Sequence, residues 1–187
     1  MMMLTTSIQP HKWNHTMNNT HLKKLTVLGI DPGSTRAGYG VISFDGRAPH
    51  YLTAGIIATS QRDKNLILGD LDFSFKKLLK ATNPDIVGIE KLFFVKNMKT
   101  GLEVAQSRGV LILSCVQHTL PLYEFTPKEV KQMITGDGGA DKKAIEKMVR
   151  ATLGIGDIHQ PDDAYDALAI ALAAGYTHQL PQRPPTH

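Results

Sequence analysis

Leu25-Thr26-Val27-Leu28-Gly29-Ile30-Asp31-Pro32-Gly33-Ser34 is the stretch whose reading decides the fold of this chain. From Leu25 to Ile30 the run is apolar apart from Thr26, and it ends abruptly in a carboxylate. An apolar run of this length, closed by Pro-Gly-Ser-Thr turn chemistry, reads as a strand buried on both faces. Working outward, Arg36 to Phe44 reads as a second strand, and Asp45-Gly46 is a hairpin signal leading to a third strand near residues 50–58. Residues 63–81 place Leu66, Leu71, Phe75, Leu78 and Leu79 at helical spacing and stop at Asn83-Pro84. Ile86-Val87-Gly88-Ile89 is a second short apolar strand, and it too ends in an acid, Glu90. A helix at about 98–118 and a strand at 121–125 follow. Thr126-Pro127-Lys128-Glu129 then reads as a capped helix start. Helices near 141–153 and 161–178 close the pattern. Three antiparallel strands followed by alternating strands and helices imply an α/β fold, a mixed sheet with helices on both faces.

The flanks differ from this core. Residues 1–22 hold no acidic residue, are rich in Met, Thr, Asn and His, and read as a disordered N-terminal extension. Residues 181–187 read as a disordered Pro-rich tail, leaving one domain over 23–180. The single cysteine, Cys115, rules out an internal disulfide and sits in an apolar run as a small core residue. No apolar stretch approaches the roughly 20 residues that span a membrane. The expectation is a reduced, soluble, cytoplasmic protein. Its net charge of +4 fits a polyanionic partner without identifying one.

Two acids at the C-terminal ends of two buried strands carry the first functional information. If the strands are parallel neighbours, Asp31 and Glu90 emerge at one edge of the sheet, where open α/β sheets bind ligands. Each acid taken alone is equally a residue that opens a polar loop. The second item of information is Pro161-Asp162-Asp163-Ala164-Tyr165-Asp166, which opens a helix that is Ala, Leu or Ile from Ala167 to Ala174. Early acids complement a helix dipole, which explains Asp162 and Asp163 without function. Asp166 fits that explanation less well, because a helix apolar nearly all round is buried. Asp163 and Asp166, three apart, share a side. Four carboxylates converging on one sheet end call for a cation, and hard oxygen donors favour Mg²⁺ or Mn²⁺ over zinc. Two such ions suit phosphodiester hydrolysis.

Three motifs in order, Gly29-Ile30-Asp31-Pro32-Gly33-Ser34, Gly88-Ile89-Glu90-Lys91-Leu92-Phe93-Phe94 and Asp163-Ala164-Tyr165-Asp166-Ala167-Leu168-Ala169, resemble the RuvC Holliday-junction resolvases over roughly residues 25–178. The resemblance implies an RNase H-like fold and a homodimer bound to four-way junction DNA. It also implies Mg²⁺-dependent paired symmetric incisions that leave 5′-phosphate ends, in recombination and DNA repair. A branch-migration motor complex is a further candidate partner. Asp31, Glu90, Asp163 and Asp166 match the catalytic, metal-binding acids. Asp162 competes in register, and the family's Asp-x-x-Asp spacing favours Asp163. Phe93 matches an aromatic placed against bases at the junction, with core packing as its plain alternative. Lys131 and Lys142 match basic positions near the DNA or the active site. Lys91, Lys96, Lys99 and Arg108 form an expected phosphate-binding rim, where a solvated face is the ordinary reading. The Gly-Ile-Asp-Pro-Gly-Ser-Thr opening also resembles the sugar-kinase, actin and Hsp70 superfamily, which needs two such domains and a longer chain. Another RNase H-like nuclease, of the type linked to ribosomal RNA processing, is a nearer rival. So is a non-catalytic junction binder, although replacing acids that repel phosphate would suit a pure binder better.

Overall fold

The structure is a computed structural model that describes residues 24–59, 64–92, 98–156 and 160–180. Five strands form one sheet: β1 (Leu25–Pro32), β2 (Arg36–Asp45), β3 (Ala48–Ala58), β4 (Ile86–Glu90) and β5 (Leu122–Phe125). Their spatial order is β3-β2-β1-β4-β5. β1 to β3 are an antiparallel meander, and β4 and β5 run parallel to β1. The helices are α1 (Lys64–Thr82), α2 (Met98–Gln117), α3 (Pro127–Thr135), α4 (Lys142–Leu153) and α5 (Asp162–Gln179). This is the expected mixed sheet covered on both faces. β3 starts earlier than the sequence reading because the hairpin loop is only two residues long, with Gly46 supplying a positive φ of 59° in its first position.

The pleat sorts each strand between two cores. Val27 and Ile86 join a cluster with α3, α4 and α5, whereas Leu28, Ile30, Val87 and Ile89 join a second cluster with Leu71, Phe75, Leu79, Leu111 and Cys115 on α1 and α2. Alternation with period two therefore places Gly29 and Asp31, and likewise Gly88 and Glu90, on the α5 side. Cys115 is buried in the second cluster, as its apolar run implied, and burial pushes its thiol up to about 12. On the α5 side the helix lies directly against the sheet backbone. A Cβ on Gly29 would stand 2.0 Å from the carbonyl oxygen of Ala167, and one on Gly38 would stand 2.0 Å from that of Asp163. Small residues on both partners, glycines in the strands and alanines in the helix, make this approach possible. No helix of the described residues is long and apolar enough to cross a membrane.

Candidate active site

Asp31 and Glu90 arrive at the site by register. β1 and β4 pair in parallel with Ile30 opposite Ile89, so the two acids follow at the next position of neighbouring strands. Asp31 is also paired with Gly38 across β1 and β2. Because Gly38 lacks a Cβ, the first turn of α5 comes to rest beside it and brings Asp163 next to Asp31. Asp166, one turn further on, faces the same end of the sheet.

Asp31 is common to two adjacent clefts. The first, about 280 Å³, is lined by Asp31, Glu90, Asp166, Lys131 and Lys142, with Val130, Ile145 and Ile170 as its apolar floor. The second, about 270 Å³, is lined by Asp31, Asp163, Ser34, Thr35, Arg36 and Thr100. A larger cavity, about 450 Å³, lies at the opposite end of the sheet among Lys24, Leu25, Arg47, Ile86 and His178. None of the four acids lines it, so chemistry and not size places the site.

Local sequence explains how the lysines reach the first cleft. Thr126 caps α3 by accepting from the Glu129 amide, while the Glu129 carboxylate accepts from the Thr126 amide at 2.7 Å. This capping box, with Pro127 behind it, fixes the helix that carries Lys131. Asp141 caps α4 and accepts from the Ala144 amide at 2.8 Å. Lys142 and Lys143 then stand in the first turn of α4, where the helix dipole disfavours cations. Lys142 is offset by Asp166, to whose Oδ2 it donates at 3.2 Å.

The electrostatics are those of crowded anions at the margin of a core. Burial, then the charges of Glu90, Asp166 and Asp163, pushes Asp31 up to about 8, against the pull of Lys142. Burial and then Asp166 push Glu90 up to about 7, with Lys142 and Lys131 pulling the other way. Burial also raises Asp166, which Lys142 opposes. Lys142 is held above its ordinary value, chiefly by Asp166. Carboxylates that resist ionisation together are suited to holding a multivalent cation.

The donor set fits hard divalent metal ions. As the side chains lie, no three Asp, Glu, His or Cys among the described residues are gathered closely enough to hold one ion. Two of the carboxylates are held in ion pairs: Asp163 is 2.8 Å from Arg36 Nε, and Asp166 is paired with Lys142. Each helix carboxylate is thus engaged by a cation of the chain itself.

Other expected residues are placed as follows. Asp162 is exposed and lines a separate cleft with Lys142, Lys143, Glu146, Tyr165 and Asp166, away from Asp31. Lys91 is partly exposed, and its amide donates to the Phe125 carbonyl at 2.7 Å. Arg108 differs from the rim expectation. Its Nε donates to the Glu90 carbonyl at 2.9 Å, its guanidinium also pairs with Glu124, and only 18% of the side chain is exposed. It ties α2 to the ends of β4 and β5 instead of standing open to a phosphate. Phe93 and Lys96 lie outside the described residues, as does the Lys99 side chain. The sequence reading missed Arg36 and Gly38. Glycines inside strand patterns, at Gly29, Gly38, Gly40 and Gly88, were the available signal for close approach of a helix.

Comparison with known proteins gives the family. The family model of the crossover junction endodeoxyribonuclease RuvC matches residues 27–174. The RuvC of Caldicellulosiruptor saccharolyticus is 46% identical over 150 residues, covering 79% of this chain and 90% of that protein. That of Chloroflexus aggregans is 40% identical over 163 residues, covering 85% and 98%. The structure of Thermus thermophilus RuvC in complex with a Holliday junction substrate superposes with a TM-score of 0.77 at 29% identity, covering 83% of this chain and 96% of that one. A yeast mitochondrial Holliday junction resolvase shares the fold, with a TM-score of 0.56 at 16% identity. The chain belongs to the RuvC family of crossover junction endodeoxyribonucleases.

Proposed function

We propose that this protein resolves four-way DNA junctions by metal-dependent hydrolysis of phosphodiester bonds, in recombination and DNA repair. The observation that carries the reading is the convergence of Asp31, Glu90 and Asp166 on one cleft, with Asp163 reached through Asp31 in the next. These four carboxylates are the residues that hold the metal, Mg²⁺ or Mn²⁺, as two ions per site. When bound by these carboxylates, such ions would supply Lewis-acid chemistry, activating a water and stabilising the 3′-oxygen leaving group. The chain's own residues do the rest. Lys131 and Lys142 place positive charge in the cleft, where the scissile phosphate must sit among acids that repel it. Lys91 adds to that charge beside Glu90, and the family resemblance assigns Lys96 to a phosphate contact and Phe93 to stacking on bases at the junction. Arg108 serves the reaction from behind, by fixing the end of β4 that carries Glu90.

Paired incision requires two sites. The outer faces of α1 and α2 leave Leu66, Phe73, Leu102, Leu113 and Val116 exposed, Val116 by 64% and Phe73 by 59%. Leu102, Gly109 and Val116 repeat at sevens on α2, the spacing of a helix-packing seam. That surface supports a homodimer joined through these helices, with each active site on the opposite side of its own sheet. The test is cleavage of a labelled synthetic four-way junction against a matched linear duplex, in Mg²⁺ and in chelator. Symmetric Mg²⁺-dependent nicks on the junction alone are expected. Tight junction binding with no cleavage in Mg²⁺ or Mn²⁺ contradicts the enzymatic reading.

A further inference from the structure

Arg36 has no part in the reaction as described, yet the fold brings it to the edge of the same site. It is the first residue of β2, and the pleat that sends Ala37 and Val41 to the α1–α2 core sends Arg36 to the α5 side. There its Nε stands 2.8 Å from Asp163 Oδ2, in the cleft that also holds Asp31, Ser34 and Thr35. The other helix carboxylate, Asp166, has its own cation in Lys142. Asp31 lies between, sharing one cleft with each pair. The arrangement is two cationic side chains flanking one half-buried acid, each on a carboxylate that the metal site requires.

The two cations are not equivalent. A guanidinium stays charged wherever the protein is folded, and its planar fork suits a carboxylate. The Arg36 side chain is 60% exposed and that of Asp163 25%, so the pair is open to water on the arginine's side and can separate at little cost.

We propose that Arg36 is a positioning residue that stands in for the divalent ion on the Asp163 side of Asp31. It holds the Asp163 carboxylate at the cleft in the metal-free chain and competes with the ion for it. The inference rests on the reading of the four carboxylates as the metal site. Its consequence is that the metal concentration needed for loading is set partly by an arginine outside the set of four carboxylates. Removing that competitor should tighten metal binding, the opposite of what loss of a phosphate contact or of a structural ion pair would do.

The experiment is Mn²⁺ titration of the full-length protein without DNA, by calorimetry and by the electron-spin signal of free Mn²⁺. Arg36→Gln is compared with Arg36→Lys and with Lys147→Gln. Lys147 is exposed on α4 and lines none of the clefts around the acids. An exposed ion pair corresponds to a factor of about two to five. The half-saturating Mn²⁺ concentration should therefore fall by about that factor in Arg36→Gln, fall less in Arg36→Lys, and stay unchanged in Lys147→Gln. Unchanged or weakened binding in Arg36→Gln overturns the proposal. So does an equal gain in Lys147→Gln, which would assign the effect to net charge. Weaker junction binding in chelator with unaltered Mn²⁺ affinity would make Arg36 a phosphate ligand instead. A complete lack of saturable Mn²⁺ binding in the unsubstituted protein would overturn the metal-site reading itself, and the proposal with it.

Discussion

On one face of the sheet α5 rests on backbone, with Gly29 and Gly38 too close to the helix to carry a Cβ; on the other, α1 and α2 pack as ordinary amphipathic helices and leave Phe73, Leu113 and Val116 in water. The first face is tightly packed at those glycines, and it is the face on which all four acids stand. The second bears none of these acids and exposes apolar side chains. The difference teaches how one small sheet divides its work: close backbone packing sets where α5 brings its carboxylates, while the other face offers apolar side chains for assembly. It also explains why α5 is Ala, Leu or Ile at every position from Ala167 to Ala174. Larger side chains would lift Asp163 and Asp166 away from Asp31.

The sharpest way to break the comparison is Gly38→Ala. The new methyl would meet the Asp163 carbonyl at 2.0 Å, so helix or strand must shift. A loss of about 2–3 kcal/mol is expected, a fall in melting temperature of roughly 5–10 °C, and cleavage should drop further than stability because Asp163 moves. A fully active, unshifted Gly38→Ala protein would show that α5 is not pinned as described.

A second effect follows from the raised carboxyls. Asp31 and Glu90 have ordinary values of 3.8 and 4.5 and stand at about 8 and about 7 in the fold. Between those limits the folded chain holds protons that the unfolded chain has released. Their contribution to stability is therefore complete at low pH and is lost as pH rises through 7 to 8. Urea unfolding of the metal-free protein at about pH 5 and about pH 8.5 should show this decline. Added Mg²⁺ should reverse it at the higher pH, and Asp31→Asn should flatten it. A metal-free stability that climbs over this window would contradict the assigned crowding.

The smallest effect on the folded chain belongs to the other face. Leu113→Glu replaces an exposed side chain and should alter subunit stability by no more than about 0.5 kcal/mol. Sedimentation should nevertheless show monomers, and paired incision should become uncoupled single nicks. A persistent dimer would place the assembly surface elsewhere.

Much of this was legible in the sequence because the signals were local. Two apolar runs each ending in an acid gave β1 and β4 with their carboxylates. Thr126-Pro127-x-Glu129 gave the start of α3, and the uniform Ala/Leu/Ile run gave a buried α5. Relations between distant segments left no such trace. Nothing around Arg36 announces that Asp163 is its partner, and Arg108 reads as one more surface cation until the Glu90 carbonyl is found beside it. The glycines were visible but ambiguous, since a strand glycine marks a bulge, a bend or a close approach with equal economy.

The most direct test of the account is Asp31→Asn assayed on a four-way junction in Mg²⁺, with cleavage and binding measured on the same preparation. Asp31 lines both clefts, so its loss should remove cleavage by at least about a thousandfold. Junction binding should be kept or strengthened, because less negative charge faces the phosphates. Near-normal cleavage by this variant would contradict the placement of the active site between β1, β4 and α5.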